Sequence, residues 1–105
     1  MCTNEIYFTV TGLEFRFGKD VFEKGQLVDI EKEPDNKYDK EAIKVMLPGL
    51  GHVGYVANSW RTVLGDSYSA GRLYDKIGDK AQGEVRYVTE NGIVCVLIRT
   101  YSEDC

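Results

Sequence analysis

The chain has 105 residues, 43% of them hydrophobic and 29% charged, a balance that suits one folded domain with a single core. The formal net charge of −4 argues against broad, nonspecific binding along duplex DNA, because such binding depends on neutralising many phosphates. No apolar run approaches the roughly 20 residues of a membrane-spanning helix, and the first residues lack the basic flank and apolar core of an export signal. We therefore expect one domain over residues 1–105 in the cytoplasm, without a membrane partner.

Alternation of apolar and polar side chains predicts four strands in the first half of the chain. In the third of these, Ile43, Val45 and Leu47 share one face and Lys44 lies on the other. A polar segment that begins with Glu33-Pro34 separates the second strand from the third, because proline cannot donate to a sheet. The four predicted strands cover residues 6–11, 27–30, 43–47 and 52–56.

Three glycines near residue 50 match the spacing G-x-G-x-x-G of dinucleotide-binding loops. In such a loop the glycines open a helix, whereas here Tyr55 and Val56, a pair typical of strands, follow Gly54 directly. No parallel strand follows either. We interpret Gly49, Gly51 and Gly54 as part of a turn between two strands and predict no cofactor.

Helical and hairpin patterns occupy the second half of the chain. Asn58 is a candidate N-cap for a helix over residues 59–64, and Ser69 for a second helix over residues 70–77. Gly78 is placed to end the second helix. Asn91-Gly92 lies between two β-rich runs and predicts a tight hairpin turn of the primed type, with positive φ angles.

Six short strands with one helical insert near residues 58–78 indicate a fold that is mainly β, with a minor α component. We predict a six-stranded antiparallel β-barrel, similar to a modified OB-like or SH3-like barrel, in which closure removes exposed sheet edges.

Cysteine and histidine usage leaves little room for catalysis or metal binding. The three cysteines, Cys2, Cys95 and Cys105, form no C-x-x-C pair, so reduced thiols are expected rather than disulfides or a zinc site. His52 is the only histidine, which excludes a multi-histidine metal centre, and a lone histidine beside a turn is usually exposed and inert. Cys95 and Trp60 are expected in the core. We predict that the protein is not an enzyme and holds no metal.

The segment Glu33–Val45 stands out as more than a plain loop. Pro34 favours a turn, and the Asx side chains of this stretch can bond to nearby backbone amides. Tyr38 is an aromatic residue in its polar middle. Two interpretations stay open: a rigid loop with Tyr38 packed on the barrel, or a ligand site with Tyr38 available for stacking.

The string E-P-x-N-x-Y-D-x-x-A-I-x-V at residues 33–45, followed by G-x-V-G-Y at residues 51–55, resembles the HIRAN domain. Thr11-Gly12-Leu13 and Gly25–Val28 also fall where that family has its V-x-G and G-x-x-V elements. The resemblance runs from about residue 6 to residue 98 and suggests a bacterial stand-alone member. It implies a modified oligonucleotide-binding barrel that grips single-stranded DNA at a 3′ end, in DNA repair or replication-fork processing.

The resemblance also implies positions for the DNA-end pocket. Asn36, Tyr38 and Asp39 match the polar loop that lines it, Tyr55 stands on its wall, and Phe15 matches an aromatic that stacks on a base. Asp39 is our candidate acceptor for a terminal 3′ hydroxyl.

Basic residues near this pocket are candidates for binding the phosphates of the strand, because each neutralised phosphate adds salt-dependent affinity. Arg72 would extend the basic rim from the second predicted helix. The other candidates are Arg16, Lys19, Lys37 and Lys40.

Two other functions remain open at this stage. Glu14, at the mouth of the expected pocket, and the net charge favour a protein-interaction adaptor that has kept the barrel but not the DNA site. The third possibility is a metal-dependent enzyme acting on nucleic-acid ends through acidic residues. A helicase or nuclease encoded separately is the candidate protein partner.

Overall fold

The computed structural model describes residues 5–12, 18–59, 61–65 and 67–100. A single 3-10 turn, Lys19–Val21, precedes the second strand. The elements in chain order are β1 (Tyr7–Thr11), β2 (Leu27–Lys32), β3 (Ile43–Leu47), β4 (Gly51–Val56), α1 (Ala70–Tyr74), β5 (Lys80–Thr89) and β6 (Gly92–Thr100). This order confirms the prediction of four strands, a helical insert and a hairpin.

The six strands form a closed barrel in the order β1-β4-β3-β2-β5-β6, with β6 returning to β1. Every neighbouring pair is antiparallel. Closure pairs the edges that an open sheet would expose. The predicted mainly β, six-stranded antiparallel barrel is therefore confirmed.

The interior of the barrel is filled by the apolar face of each strand. In β3, Ile43, Val45 and Leu47 are buried while the residues between them are half-exposed, as their alternation predicts. Cys95 on β6 is fully buried and free, which confirms its place in the core. The largest fully buried apolar side chains are Phe8, Ile30, Ile43, Leu73 and Ile93.

The insert between β4 and β5 covers one part of the barrel and adds to its core. Thr9 of β1 lies beneath it, since its carbonyl oxygen accepts from Ala57 N (2.8 Å) and its Oγ1 from Leu64 N (3.1 Å). Leu73 of α1 and Ile77 beyond its end are both buried. No helix in the described part of the chain is long and apolar enough to cross a membrane.

The first predicted helix is wrong. Within residues 59–64, the described part forms a single turn, with Thr62 N and Val63 N both donating to Ser59 O (2.9 and 3.0 Å). Gly65, with φ of 57°, then redirects the chain. The Asn58 side chain does not cap this turn, because its Oδ1 accepts from Gly71 N and its Nδ2 donates to Asp39 Oδ2.

The second predicted helix exists but ends early, at Tyr74 instead of Ile77. Its N-cap is Ser69 as predicted, with Oγ accepting from Arg72 N (3.3 Å). Gly78 does not have the positive φ of a helix-ending glycine. After the helix, Lys76 N donates to Leu73 O (2.8 Å) in a tighter turn, and the chain enters β5 at Lys80, which pairs with Glu31 of β2.

Both predicted turns join strands, but one has a different geometry. The glycines near residue 50 lie in a turn at residues 48–50 and in β4, which confirms the hairpin interpretation. At the other hairpin, Glu90 and Asn91 connect the paired Thr89 and Gly92. No non-glycine residue of the described chain has a positive φ, so Asn91 does not adopt the predicted primed-turn conformation. The Thr89 hydroxyl closes the turn instead, donating to Gly92 O (2.7 Å) and accepting from Asn91 N (3.1 Å).

Candidate nucleic-acid interface

The segment between β2 and β3, residues 33–42 (hereafter the polar loop), is closed by its own backbone. Glu33 N donates to Ala42 O (2.8 Å), which joins the two ends of the loop. Asn36 N donates to Glu33 O (3.0 Å) and Ala42 N to Asp39 O (3.1 Å), so each half contains a turn. The polar loop is therefore anchored at its base by the barrel and ordered along its length.

Asn36 fixes the middle of the polar loop. Its Oδ1 accepts from Tyr38 N (2.8 Å) and Asp39 N (3.0 Å), an arrangement that Asx side chains make readily in turns. Its Nδ2 donates to Glu33 Oε1 (2.7 Å). The Asn36 side chain thus holds the backbone of the polar loop in its turn conformation.

Glu33 links the polar loop to the barrel wall. The same Oε1 that accepts from Asn36 also accepts from the Tyr55 hydroxyl of β4 (2.8 Å). The Asn36 bond is the main cause, and the Tyr55 bond a further one, of a Glu33 pKa below its ordinary value, because both favour the ionised carboxylate. His52 meets the Tyr55 ring edge-on, with centroids 4.7 Å apart. Tyr55 is thereby held in one orientation beside the loop.

Asp39 connects the polar loop to the insert. Its Oδ1 accepts from Glu41 N (2.9 Å), and its Oδ2 accepts from Asn58 Nδ2 (2.9 Å). The Asn58 Oδ1 in turn accepts from Gly71 N of α1 (2.8 Å). Asn58, predicted as a helix cap, therefore bridges the polar loop and α1.

Tyr38 projects from the tip of this ordered loop with 95% of its surface exposed. The interpretation that packs Tyr38 on the barrel is therefore wrong. Lys37 and Lys40 on either side of it are also exposed. The loop presents an aromatic ring flanked by two cationic side chains to solvent.

Arg72 lies on α1, one residue after the Gly71 that Asn58 contacts. Its side chain is exposed, and its guanidinium carbon is 4.2 Å from the centre of the Tyr68 ring. The structure thus brings four predicted site residues together in the polar loop: Asn36, Lys37, Tyr38 and Asp39. Glu33 links Tyr55 to this loop, and Asn58 links the loop to Gly71, the residue before Arg72.

Two of the predicted site residues, Phe15 and Arg16, lie outside the described residues, as do Glu14 and Trp60. Thr11, the last residue of β1, pairs with Tyr55. The chain therefore leaves the barrel beside the candidate site just before this segment.

Three residues in or next to the site were not predicted as site residues: Glu33, Asn58 and Tyr68. Glu33 belongs to the motif string but looks like an ordinary surface acid, because nothing local shows that Tyr55 reaches it from 22 positions away. Asn58 resembles a cap because it precedes a polar turn. Only tertiary structure pairs it with Asp39 and Gly71.

No group of three or more His, Cys, Asp or Glu side chains gathers to hold a metal ion in the part of the chain that the structure covers. The candidate site instead combines an exposed aromatic, a carboxylate with both oxygens oriented by hydrogen bonds, and nearby cations. Such a set can stack on a planar group and bond to its polar substituents.

Comparisons with known proteins identify the family and the fold. The family model described as the HIRAN domain matches residues 3–102. The crystal structure of the HIRAN domain of human HLTF is similar over 92% of this chain and 77% of that chain, with a TM-score of 0.59 and 22% sequence identity. No curated protein gives a significant match. Because the family model spans nearly the whole chain and the same fold occurs in a solved member, this chain belongs to the HIRAN domain family.

Proposed function

We propose that the domain binds single-stranded nucleic acid at a strand end, with DNA as the ligand and the polar loop and Tyr55 as its site. The observation that carries the proposal is Tyr38, an aromatic ring 95% exposed on a loop that hydrogen bonds hold in one shape. A ring held out from the surface on an ordered loop is accessible from solvent and available for stacking. A base can stack on such a ring without sequence preference.

Family membership supports nucleic acid as the ligand class, since HIRAN domains are DNA-binding modules. The fold supports it as well, because small barrels with OB-like form bind oligonucleotides on one face between loops.

Asp39 is the proposed acceptor for the terminal 3′ hydroxyl. Its two oxygens are already oriented by Glu41 N and Asn58 Nδ2, and each carboxylate oxygen can accept a further bond. An internal phosphodiester has no hydroxyl to offer at that position, so Asp39 would select strand ends over strand interiors. Asn36 would act by holding Tyr38 and Asp39 in place.

Phosphates would be bound by the cations around the loop, Lys37, Lys40 and Arg72, with Arg16 and Lys19 as further proposed contacts and Phe15 as a second stacking residue. The cationic side chains are few and the net charge is −4. This balance suits a short ligand of a few nucleotides better than a long strand.

The test is a titration with single-stranded DNA labelled at its 5′ end and carrying one of three 3′ ends: a hydroxyl, a hydrogen (3′-deoxy) or a phosphate. At low salt we expect the hydroxyl end to bind at least about tenfold tighter than the 3′-deoxy end, the difference expected for a hydrogen bond to a charged group. The phosphate end should bind more weakly still, because it faces the Asp39 carboxylate. Equal affinity for all three ends would contradict end capture, and no binding at hundreds of micromolar protein would contradict the proposal as a whole.

The proposed biological setting is DNA repair or replication-fork processing in the cytoplasm of a bacterium, beside a separately encoded helicase or nuclease. End recognition supports this setting, because free 3′ ends are intermediates of both processes. Co-purification of such an enzyme from cells, lost after nuclease treatment, would indicate a partnership through shared DNA.

A protein-interaction adaptor is the second candidate function. It is favoured by four exposed apolar or aromatic side chains on the neighbouring strands β2, β5 and β6, away from the polar loop: Leu27, Tyr87, Val88 and Ile98. Co-purification of a partner that survives nuclease treatment, together with no affinity for DNA ends, would establish this function instead.

A further inference from the structure

The pair of Tyr68 and Arg72 forms a stacked, cationic surface next to the polar loop. The Arg72 guanidinium lies over the Tyr68 ring at 4.2 Å, and Tyr68 itself packs against the core. One face of the guanidinium plane is thus covered by the ring. Arg72 as a whole is exposed, so its side chain is accessible from solvent.

The backbone that carries this pair is held at almost every residue. Tyr68 N donates to Tyr7 O (2.7 Å) and Ala70 N to Ala57 O (2.8 Å). Gly71 N donates to Asn58 Oδ1 (2.8 Å), and Arg72 N to the Ser69 hydroxyl (3.3 Å). The Tyr68–Arg72 stack is therefore positioned before any ligand arrives, which lowers the entropic cost of binding.

Among the residues that the structure describes, no acid forms an ion pair with Arg72. Two other cations, Lys44 and Arg86, lie within 3.7 Å of carboxylate oxygens. The guanidinium of Arg72 instead lies over the uncharged Tyr68 ring. Its positive charge and its planar donor groups remain available to a ligand.

The start of α1, which carries Arg72, lies next to the proposed strand-end site. Asn58 alone separates the Asp39 carboxylate from Gly71 N, through hydrogen bonds of 2.9 and 2.8 Å, and Arg72 is the next residue. A strand whose terminal nucleotide contacts Tyr38 and Asp39 therefore passes close to Arg72 if it leaves the pocket towards α1.

We propose that the Tyr68–Arg72 stack is a second nucleotide subsite, in which the base preceding the terminal one stacks on the face of the Arg72 guanidinium turned away from Tyr68. This inference rests on the proposed function, which supplies the strand end. Arginine planes are common stacking partners for unpaired bases. An arginine that already stacks on tyrosine offers a base a rigid surface, and its N–H groups can bind the adjoining phosphate.

The experiment uses single-stranded DNA with a free 3′ hydroxyl and one abasic residue, placed either at the terminal or at the preceding position. Wild-type protein is compared with Arg72→Ala, Arg72→Lys and Lys76→Ala. Lys76 is the control, because it is an exposed cation shortly after α1 with no aromatic contact among the described residues. Thermal denaturation verifies that each variant is folded.

For wild-type protein, removing the base before the terminal one should weaken binding about fivefold or more, the loss expected for one stacked base. Arg72→Ala should weaken binding of the intact strand by a similar factor and abolish this abasic effect, while leaving the terminal abasic effect unchanged. Arg72→Lys should keep the charge but lose the abasic effect, and Lys76→Ala should keep it.

An abasic effect that persists in Arg72→Ala, or an Arg72→Ala protein that binds as tightly as wild type, would overturn the subsite while leaving end binding intact. No binding of any strand by wild-type protein would overturn the proposed function, and the subsite with it. The two failures are therefore distinguishable in one set of titrations.

Discussion

At the scale of single residues, Glu33 is the side chain on which the candidate site most depends. One of its oxygens accepts from both Asn36 and Tyr55, so a single carboxylate joins the polar loop to the barrel wall. Removing it would leave two donors without their partner and would let the loop and Tyr55 move independently. Glu33 is therefore a positioning residue, and its charge state has a measurable effect on stability.

Glu33→Gln should lower the free energy of unfolding by about 1 kcal/mol at pH 7, the cost of exchanging charge-assisted for neutral hydrogen bonds. Because folding lowers the Glu33 pKa, the charge stabilises the protein above the ordinary glutamate pKa, and the effect is lost as the pH falls through the lowered value. Urea denaturation from pH 7 to 3 should show the difference between wild type and variant shrinking on acidification.

Glu41→Gln is the control for this series, since Glu41 is an exposed acid of the same loop whose carboxylate accepts no hydrogen bond in the described structure. It should change stability little at any of these pH values. A Glu33→Gln difference that stays constant from pH 7 to 3 would contradict the role assigned to the charge.

Cys95 illustrates the opposite kind of residue, one that burial makes unreactive. Burial raises the pKa of its thiol to about 12, so the reactive thiolate is scarce at neutral pH. We expect Cys95 to resist iodoacetamide at pH 8 in the native protein and to react fully in urea, as measured by mass spectrometry of its peptide. Rapid modification in the native state would show that β6 opens more readily than a closed barrel should.

At the scale of elements, glycines mark where two pieces of chain approach closely. A Cβ on Gly83 of β5 would lie 2.7 Å from Phe8 Cζ and 3.0 Å from Val96 O, inside the core. A Cβ on Gly71 of α1 would lie 2.7 Å from Glu41 Oε1, the end of an exposed and flexible side chain. The two contacts have similar lengths but very different costs.

Gly83→Ala should therefore lower the free energy of unfolding by about 1–3 kcal/mol, as overpacking of a core does. Gly71→Ala should be neutral or stabilising by up to about 1 kcal/mol, because alanine favours a helix over glycine and Glu41 can move aside. Urea denaturation of both variants measures the contrast. Equal destabilisation would mean that α1 and the polar loop are packed as rigidly as the core.

The elements that could be predicted from sequence are those whose pattern is local. Strands with alternating burial, such as β3, follow from the period of their own side chains. The turn that replaces the helix predicted at 59–64 and the C-terminal end of α1 were not predicted. Both lie next to contacts with distant residues, since Leu64 N donates to Thr9 Oγ1 and Lys80 pairs with Glu31.

The candidate site divides in the same way. The motif string located the polar loop, and Asx chemistry indicated that it would be ordered. The exposure of Tyr38, however, depends on what surrounds the loop, and composition alone allowed it to be packed on the barrel. The Glu33–Tyr55 and Asp39–Asn58 bonds join residues 22 and 19 positions apart, a separation that no local pattern reveals.

At the scale of the whole molecule, charge limits what the domain can hold. The net charge is −4, and the exposed cations proposed to contact the strand within the described residues are Lys37, Lys40 and Arg72. These cations can neutralise only a few phosphates of a bound strand. This limit favours recognition of a short strand end over coating of a long strand.

The salt dependence of binding measures this limit. For about three phosphate contacts to a single strand, a plot of log affinity against log salt concentration should have a slope of about −2, at roughly −0.7 per phosphate. Titrations of a 10-nucleotide strand between low and physiological salt would give the slope. A slope near −5 would contradict the account, since it would need a cationic surface that these side chains do not provide.

The most direct test of the central claim, that the polar loop binds a strand end, is the affinity of Tyr38→Ala for single-stranded DNA with a free 3′ hydroxyl. We expect a loss of about fivefold or more from the missing stacking contact, with unchanged thermal stability because Tyr38 is 95% exposed. Tyr87→Ala, which removes another exposed aromatic ring from β5, should bind as wild type. Wild-type affinity in Tyr38→Ala, or equal losses in both variants, would contradict the assignment of the site to the polar loop.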